Sequence, residues 1–379
     1  AMCVQDAAEA LHRRRINAAP LSRGRGKATR YVGLVNRQDL DAAMRHGYGD
    51  RPVLEFSGQE PAWVPADAPL ATVRHALVAG PRRLVLVGTP PVAEGVLTRG
   101  LVLRASPPPA TAGQRRPPQP SNVLGMARKH LGALWPLLEA TARVATERGV
   151  ALYLVGGTVR DLFLGIPGRD VDVVVEGDAP ELARAAARVL GGEVSIPGGF
   201  GTARWYPPDH PAMDLASARS EYYEAPGALP KVEHASLNQD LFRRDFTVNA
   251  MALALSGPGA GRIYDPYGGY TDLRAGVLRV LHGLSFYDDP TRAWRAVRFA
   301  ARFEFTLAPD TEGLLKGAVR AGVMEKLSLE RLGSEVELLL GEREVVQAFR
   351  LVKAWGLAPT LHPELHINRA LLARLGDAQ

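Results

Sequence analysis

Residues 154–177 read LVGGTVRDLFLGIPGRDVDVVVEG. An apolar run halts at Gly156 and Gly157, crosses a short amphipathic segment, and resumes as a second apolar run led by Asp170 and Asp172. Each part alone is commonplace. A glycine pair is usually a turn, and an Asp-x-Asp at a strand is usually a solvated edge. The ordered combination, strand, glycines, helix, strand, two carboxylates, leaves few folds open. Glycine permits positive φ and close backbone approach, and the helix start that follows is electropositive. Alternation along a strand sends Asp170 and Asp172 to one face. Two hard oxygen ligands beside an anion-binding turn suit Mg²⁺ and a nucleoside triphosphate. Arg160, one turn into the helix, is within reach of a phosphate oxygen in this reading.

Other features narrow the class. A chain of 379 residues holds two or three domains, and 46% hydrophobic residues suffice for ordinary cores. Cys3 is the single cysteine, which excludes an intrachain disulfide and a cysteine-ligated zinc centre. Lys and Arg number 46 against 40 Asp and Glu. That excess is compatible with a polyanionic partner without requiring one. No apolar run reaches membrane-spanning length, and AMCVQDAAEALHRRR lacks the apolar core of a signal peptide. The expectation is a cytoplasmic protein with no membrane partner, read as a piece of a longer chain.

The sharpest break is ASPPPATAGQRRPPQPSN, residues 105–122, an extended linker by composition. Before it, residues 1–104 repeat a helix-strand-strand order, with GLVNRQDL and GVLTRGLV in matching places. After it, a helix over 123–148 leads into the strand ALYLV, a short helix, and the strand DVDVVVEG. An Ala-rich helix and the strands FGTARWYP and AMDLASAR follow. From about residue 238 the pattern turns helical. The class is α+β, with a catalytic head at 123–284 and helical neck and body segments at 285–379.

The repeat in residues 1–104 resembles a pair of CBS modules, an α/β arrangement. The resemblance implies either an adenine nucleotide in a central cleft or a domain-packing role. LVGGTVRDLFLGIPGRDVDVVV resembles the signature of class II tRNA nucleotidyltransferases and bacterial poly(A) polymerases, a family with a polymerase β-like head built on a mixed sheet. DLFRRDFTVNAMAL (240–253), DPYGGYTDLRAGVLR (265–279), FYDDPTRAWRAVRFAARFEF (286–305) and LSLERLGSEVELLL (327–340) follow in the family's order.

The resemblance implies that Arg244, Asp245 and Asn249 recognise the ribose and phosphates of the incoming nucleotide. Read from the residues alone, 243–249 open an apolar helix, with Asp245 as its cap and Asn249 one turn on. On the next helix Arg292, Arg295, Arg298 and Arg302 share one stripe, which without the resemblance is a solvated basic face. The resemblance makes Asp289 and Arg292 a protein template for the base and enrols Arg295 and Arg298 in nucleotide binding. Here Asp288 stands where Glu is common in the family. A carboxylate accepts from the exocyclic amine that C and A share, and a guanidinium donates to the adjacent ring nitrogen. G and U present the reverse at that edge. A third catalytic carboxylate is expected on a neighbouring strand, with Asp214 the candidate and an ordinary strand-end residue the alternative.

The segment 215–242 has the length of enzymes that add A or the whole CCA, and the CBS-like pair resembles lineages that divide the labour. The reading is therefore an enzyme adding the terminal A from ATP to a tRNA 3′ end that finishes in CC. Alternatives are complete CCA addition, which also takes CTP, then CC addition or poly(A) synthesis. A nucleotide sensor is disfavoured by the Asp170/Asp172 pair. A small-molecule nucleotidyltransferase is disfavoured by the long helical half after residue 285.

Overall fold

Val4, Ala7, Ala8 and Leu11 recur at helical spacing, and they form the buried face of the first helix, α1 (Val4–Arg14). The computed structural model describes residues 2–14, 16, 18–24, 30–45, 47–57, 62–79, 84–98, 101–102, 120–167, 171–197, 201–222, 231–257 and 259–377. Asp170 and most of the Pro-rich stretch lie outside the described residues. The chain divides into two compact units, the first running to about residue 107.

In the first unit α1 precedes a hairpin of β1 (Ala18–Arg23) and β2 (Arg30–Asn36), followed by α2 (Arg37–Arg45). Then come β3 (Ala62–Val64), α3 (Leu70–Ala79) and a second hairpin, β4 (Leu84–Thr89) with β5 (Val92–Thr98). The five strands form one sheet in the order β1-β2-β5-β4-β3, with only β3 and β4 parallel. One apolar cluster joins α1 to Leu40 and Val53, and a second joins Val73 and Leu77 of α3 to Val64 and Val85. Each helix thus covers its own hairpin.

The second unit opens with α4 (Val123–Leu131) and α5 (Trp135–Glu147). The single helix predicted for 123–148 is broken, because Gly132 takes φ of 51° and a short 3₁₀ turn intervenes. There follow β6 (Ala151–Val155), α6 (Gly157–Leu164), β7 (Asp172–Glu176), α7 (Ala179–Leu190), β8 (Glu193–Ser195), β9 (Thr202–Tyr206) and β10 (Met213–Ser217). With β13 (Ala252–Ala254) and β14 (Ile263–Tyr264) they make a mixed sheet ordered β14-β13-β6-β7-β10-β9-β8. Only β7 and β10 run parallel. A separate hairpin, β11 (Arg219–Tyr222) with β12 (Lys231–His234), leads to α8 (Leu237–Phe242).

Beyond residue 238 the chain is less uniformly helical than its pattern predicts. The segment after Arg243 is no apolar helix: a 3₁₀ turn at Thr247–Asn249 runs into β13, every residue of which is buried. The apolar run there fills the sheet, and that demand overrides helical spacing. Next come α9 (Gly269–Ala275), β15 (Val277–Leu278), α10 (Ser285–Asp288) and α11 (Thr291–Phe303). The body is β16 (Thr306–Leu307), α12 (Pro309–Arg320), α13 (Leu329–Leu340), α14 (Val345–Ala354), α15 (Ala358–Leu361) and α16 (Arg369–Asp377).

Candidate active site

β6 ends at Gly156, whose φ of 65° starts α6. A Cβ built there would lie 2.5 Å from Arg244 Nη1 and 3.4 Å from Asp172 Oδ2. The missing side chain is therefore what lets a guanidinium and a carboxylate converge on the turn. Gly157 has no such demand, since its Cβ would make ordinary contact with Arg160. The two glycines of the pair are physically unequal.

Asp172 is the first residue of β7 and exposed, and its amide donates to Thr158 Oγ1 at 3.0 Å. Parallel pairing sets Asp172 directly beside Asp214 of β10, so both carboxylates leave the same face of the sheet. Asp214 in turn stands opposite Arg204 of β9 and is clasped by it, Nε to Oδ1 at 2.7 Å and Nη2 to Oδ2 at 2.6 Å. These hydrogen bonds and the guanidinium charge hold the Asp214 carboxyl below its ordinary range against a smaller opposing effect of burial. Both partners are more than half exposed, so this pair adds little stability. No group of three His, Cys, Asp or Glu positioned for a metal occurs among the described residues. The two adjacent carboxylates are hard oxygen donors and fit Mg²⁺, with Asp170 two residues before Asp172 in sequence.

Arg244 is aimed at Gly156 by Asp240, which has no solvent exposure and accepts from Arg244 Nη2 at 2.9 Å and Arg243 Nη2 at 2.8 Å. Burial alone would raise the Asp240 carboxyl, but the two guanidinium charges outweigh it and the net shift is downward. Sequence reading missed Asp240, although its spacing of three and four residues from Arg243 and Arg244 was a usable signal.

A continuous polar chain joins α6 to α11. Arg160 is buried rather than exposed beside Asp172. Its Nη1 donates to Asn249 Oδ1 at 2.7 Å, and its guanidinium lies over the rings of Phe299 and Phe303 at 5.1 and 4.7 Å. Asn249 Nδ2 donates to Asp245 Oδ1 at 2.9 Å, and Arg295 Nη2 meets Asp245 Oδ2 at 2.6 Å. Burial pushes the Asp245 carboxyl up, yet the Arg295 charge and the bonds from Asn249 and Arg295 hold it down at about 2. Asp245 thus also bonds the Phe246 amide, as a cap would, but no helix follows.

The arginine stripe of α11 is not a solvated face. Arg292 is buried, donating to Ser285 Oγ at 2.6 Å and to the Arg243 carbonyl at 2.5 Å. Arg298 pairs with Glu335 at 2.9 Å and Glu342 at 3.2 Å, and Arg302 also binds Glu342. These acids lie too far along the chain for local pattern to reveal them. Asp289 accepts from Thr291 Oγ1 at 2.7 Å and Arg331 Nη2 at 2.9 Å, and does not pair with Arg292 here. Asp288 is buried 3.8 Å from His282 Nε2.

Residues 152–279 match the family described as the poly A polymerase head domain. The chain is 39% identical over 375 residues to the A-adding tRNA nucleotidyltransferase of Geobacter sulfurreducens, covering 96% of this chain and 42% of the relative. It is 36% identical to the A-adding enzyme of Aquifex aeolicus, covering 98% and 44%. The chain therefore spans less than half the length of these two relatives. The solved Thermotoga maritima CCA-adding enzyme complexed with tRNA superposes with a TM-score of 0.60 at 36% identity, covering 68% of this chain and 59% of that one.

Proposed function

We propose that the chain transfers AMP from ATP to a tRNA 3′ end finishing in CC, since residues 152–279 match the poly A polymerase head domain and the chain is similar to A-adding and CCA-adding tRNA nucleotidyltransferases. The terminal hydroxyl oxygen bonds to the α-phosphorus, the bond to the pyrophosphate oxygen breaks, and the hydroxyl proton passes to solvent at the exposed start of β7, where Asp172 stands. Asp170 and Asp172 would hold Mg²⁺, with Asp214 alongside, and the ion would neutralise triphosphate charge and acidify the attacking hydroxyl. Arg244, beside Gly156 and Asp172, meets the phosphates. Asp245 and Asn249, fixed by Arg295 and Arg160, receive the ribose.

Base choice falls to Asp289 and Arg292. Reading a base edge requires each to exchange a present partner, Arg331 for Asp289 and Ser285 for Arg292. Arg295 assists through Asp245, whereas Arg298 acts from behind by holding α11 to α13. We take residues 1–104 as a CBS-like pair that packs domains or holds an adenine nucleotide, 105–122 as a linker, 123–284 as the head and 285–379 as neck and body. No helix among the described residues is long and apolar enough to cross a membrane, and a tRNA substrate suits the cytoplasm.

The observation that carries A addition over CCA addition is coverage. The A-adding relatives of Geobacter sulfurreducens and Aquifex aeolicus align through the first unit as well, although that of Halalkalibacterium halodurans covers 62% of the chain, and the CCA-adding structure superposes on 68%. The test offers the protein tRNAs ending in the discriminator base, C or CC, each with ATP or CTP. One A on the CC end alone is expected. Extension of the discriminator end with CTP would overturn this reading, in favour of complete CCA addition if the CC end also takes A and of CC addition if it does not.

A further inference from the structure

Between Glu9 and Asp39 the chain has eight Lys or Arg and no Asp or Glu. The imbalance is local. Residues 1–104 hold fifteen Lys and Arg against nine Asp and Glu, whereas the rest of the chain holds thirty-one of each. The described members of this acid-free segment lie at the surface: Arg13 and Arg14 close α1, Arg23 ends β1 and Arg30 starts β2, all exposed, and half-buried Arg37 opens α2. None of these five has a carboxylate partner among the described residues.

Arg23 and Arg30 are direct cross-strand partners. Their side chains leave the same face about 5 Å apart, and like charges so placed weaken a hairpin. At the other end of β1, His12 Nε2 touches Asp41 at 2.8 Å, joining the end of α1 to α2. Arg37 lies one helical turn before that Asp41. The cations thus form two groups separated by the length of β1, roughly 17 Å. A small anion would satisfy one group only, whereas an extended polyanion engages both. In the second unit the reverse holds, for Arg160, Arg204, Arg243, Arg244, Arg295 and Arg298 all meet carboxylates.

We infer that this face of the first unit is an RNA-docking surface that binds the phosphate backbone of the tRNA whose end the head extends. The inference rests on the tRNA reading proposed above. It gives the first unit a share of the salt-sensitive affinity, while the second unit supplies chemistry.

The experiment uses the full chain and its Arg23→Ser/Arg30→Ser variant, with tRNA ending in CC. Affinity is measured over a series of salt concentrations, alongside AMP incorporation at saturating tRNA and thermal unfolding. The variant should bind about tenfold more weakly at low salt and lose about one to two units of log Kd against log salt slope. Saturated turnover should stay within twofold, and the variant should unfold no earlier than the parent. Arg23→Lys/Arg30→Lys, which keeps the charge, should bind like the parent. Unchanged affinity and slope in the serine variant would overturn the inference, as would equal weakening in the serine and lysine variants. A parent chain that binds tRNA with a steep salt slope but adds no A sinks the functional reading instead.

Discussion

An arginine in the first unit and an arginine in the second are the same residue under opposite constraints. Arg23 faces Arg30 across a hairpin and has no acid within reach among the described residues. Arg295 is packed against Asp245, and Arg244 against Asp240, whose carboxylate is sealed from solvent. A buried guanidinium without its carboxylate would be strongly destabilising, so in the second unit charge is a matter of internal architecture. In the first, Arg13, Arg14, Arg23 and Arg30 stand exposed, while Arg51 pairs with Glu55. The charge balance carries the same mark: Lys and Arg exceed Asp and Glu in residues 1–104 and match them in the rest of the chain.

The comparison breaks most visibly at an exposed acid of the second unit. Asp172→Ala should lower AMP incorporation by a factor of about a thousand or more, because charge neutralisation at the triphosphate contributes several kcal/mol. Its urea midpoint and tRNA affinity should match the parent within a factor of two, as filter binding and equilibrium unfolding would register. A variant that melts early instead would mean that Asp172 belongs to the architecture.

Asp240→Asn tests the opposite case. Removing this buried charge leaves Arg243 and Arg244 without their common partner and should cost about 3–5 kcal/mol in equilibrium unfolding. A cost under about 1 kcal/mol would show that solvent reaches the pair.

Acid should reveal the same division more gently. The Asp245 carboxyl titrates at about 2 in the folded chain, against about 3.9 when unfolded. Its contribution is therefore complete above pH 4 and disappears as pH falls toward 2, amounting to about 2–3 kcal/mol. Unfolding the parent and Asp245→Asn side by side should give a stability difference that shrinks over that interval. A difference constant with pH would remove Asp245 as its source.

The smallest effect has the opposite sign. Arg30→Thr should stabilise the chain by about 0.2–1 kcal/mol at low salt, since it removes a like-charge pair from a hairpin. The gain should vanish near 1 M salt, where screening is nearly complete. Destabilisation at both salts would show that Arg30 has an internal role after all.

What sequence reading could and could not reach follows the same line. The glycine turn, α6 and the strand bearing Asp172 were legible because their signals lie within about twenty residues. Asp214 was expected on a neighbouring strand, and its register beside Asp172 gives that expectation a geometric form. The run after Arg243 misled because burial of β13 won over helical spacing. The α11 stripe misled because a basic face and a set of internal ion pairs look alike until Glu335 and Glu342 fold back against it. Arg204 was invisible, since nothing in the sequence announces which cation stands across from Asp214.

The parallel pairing of β7 with β10 has a consequence in time. Gly156, α6 and Arg160 belong to a local strand-turn-helix unit that can organise early. Asp172 and Asp214 become neighbours only when two strands, with α7, β8 and β9 between them in the chain, close in register. Such non-local closure is slow, and a slip of one residue would offer Val173 in place of Asp172. Catalytic competence on refolding should therefore lag helix formation. A chain that already looks folded by its helices would remain inert until its slowest strand pair is correctly set.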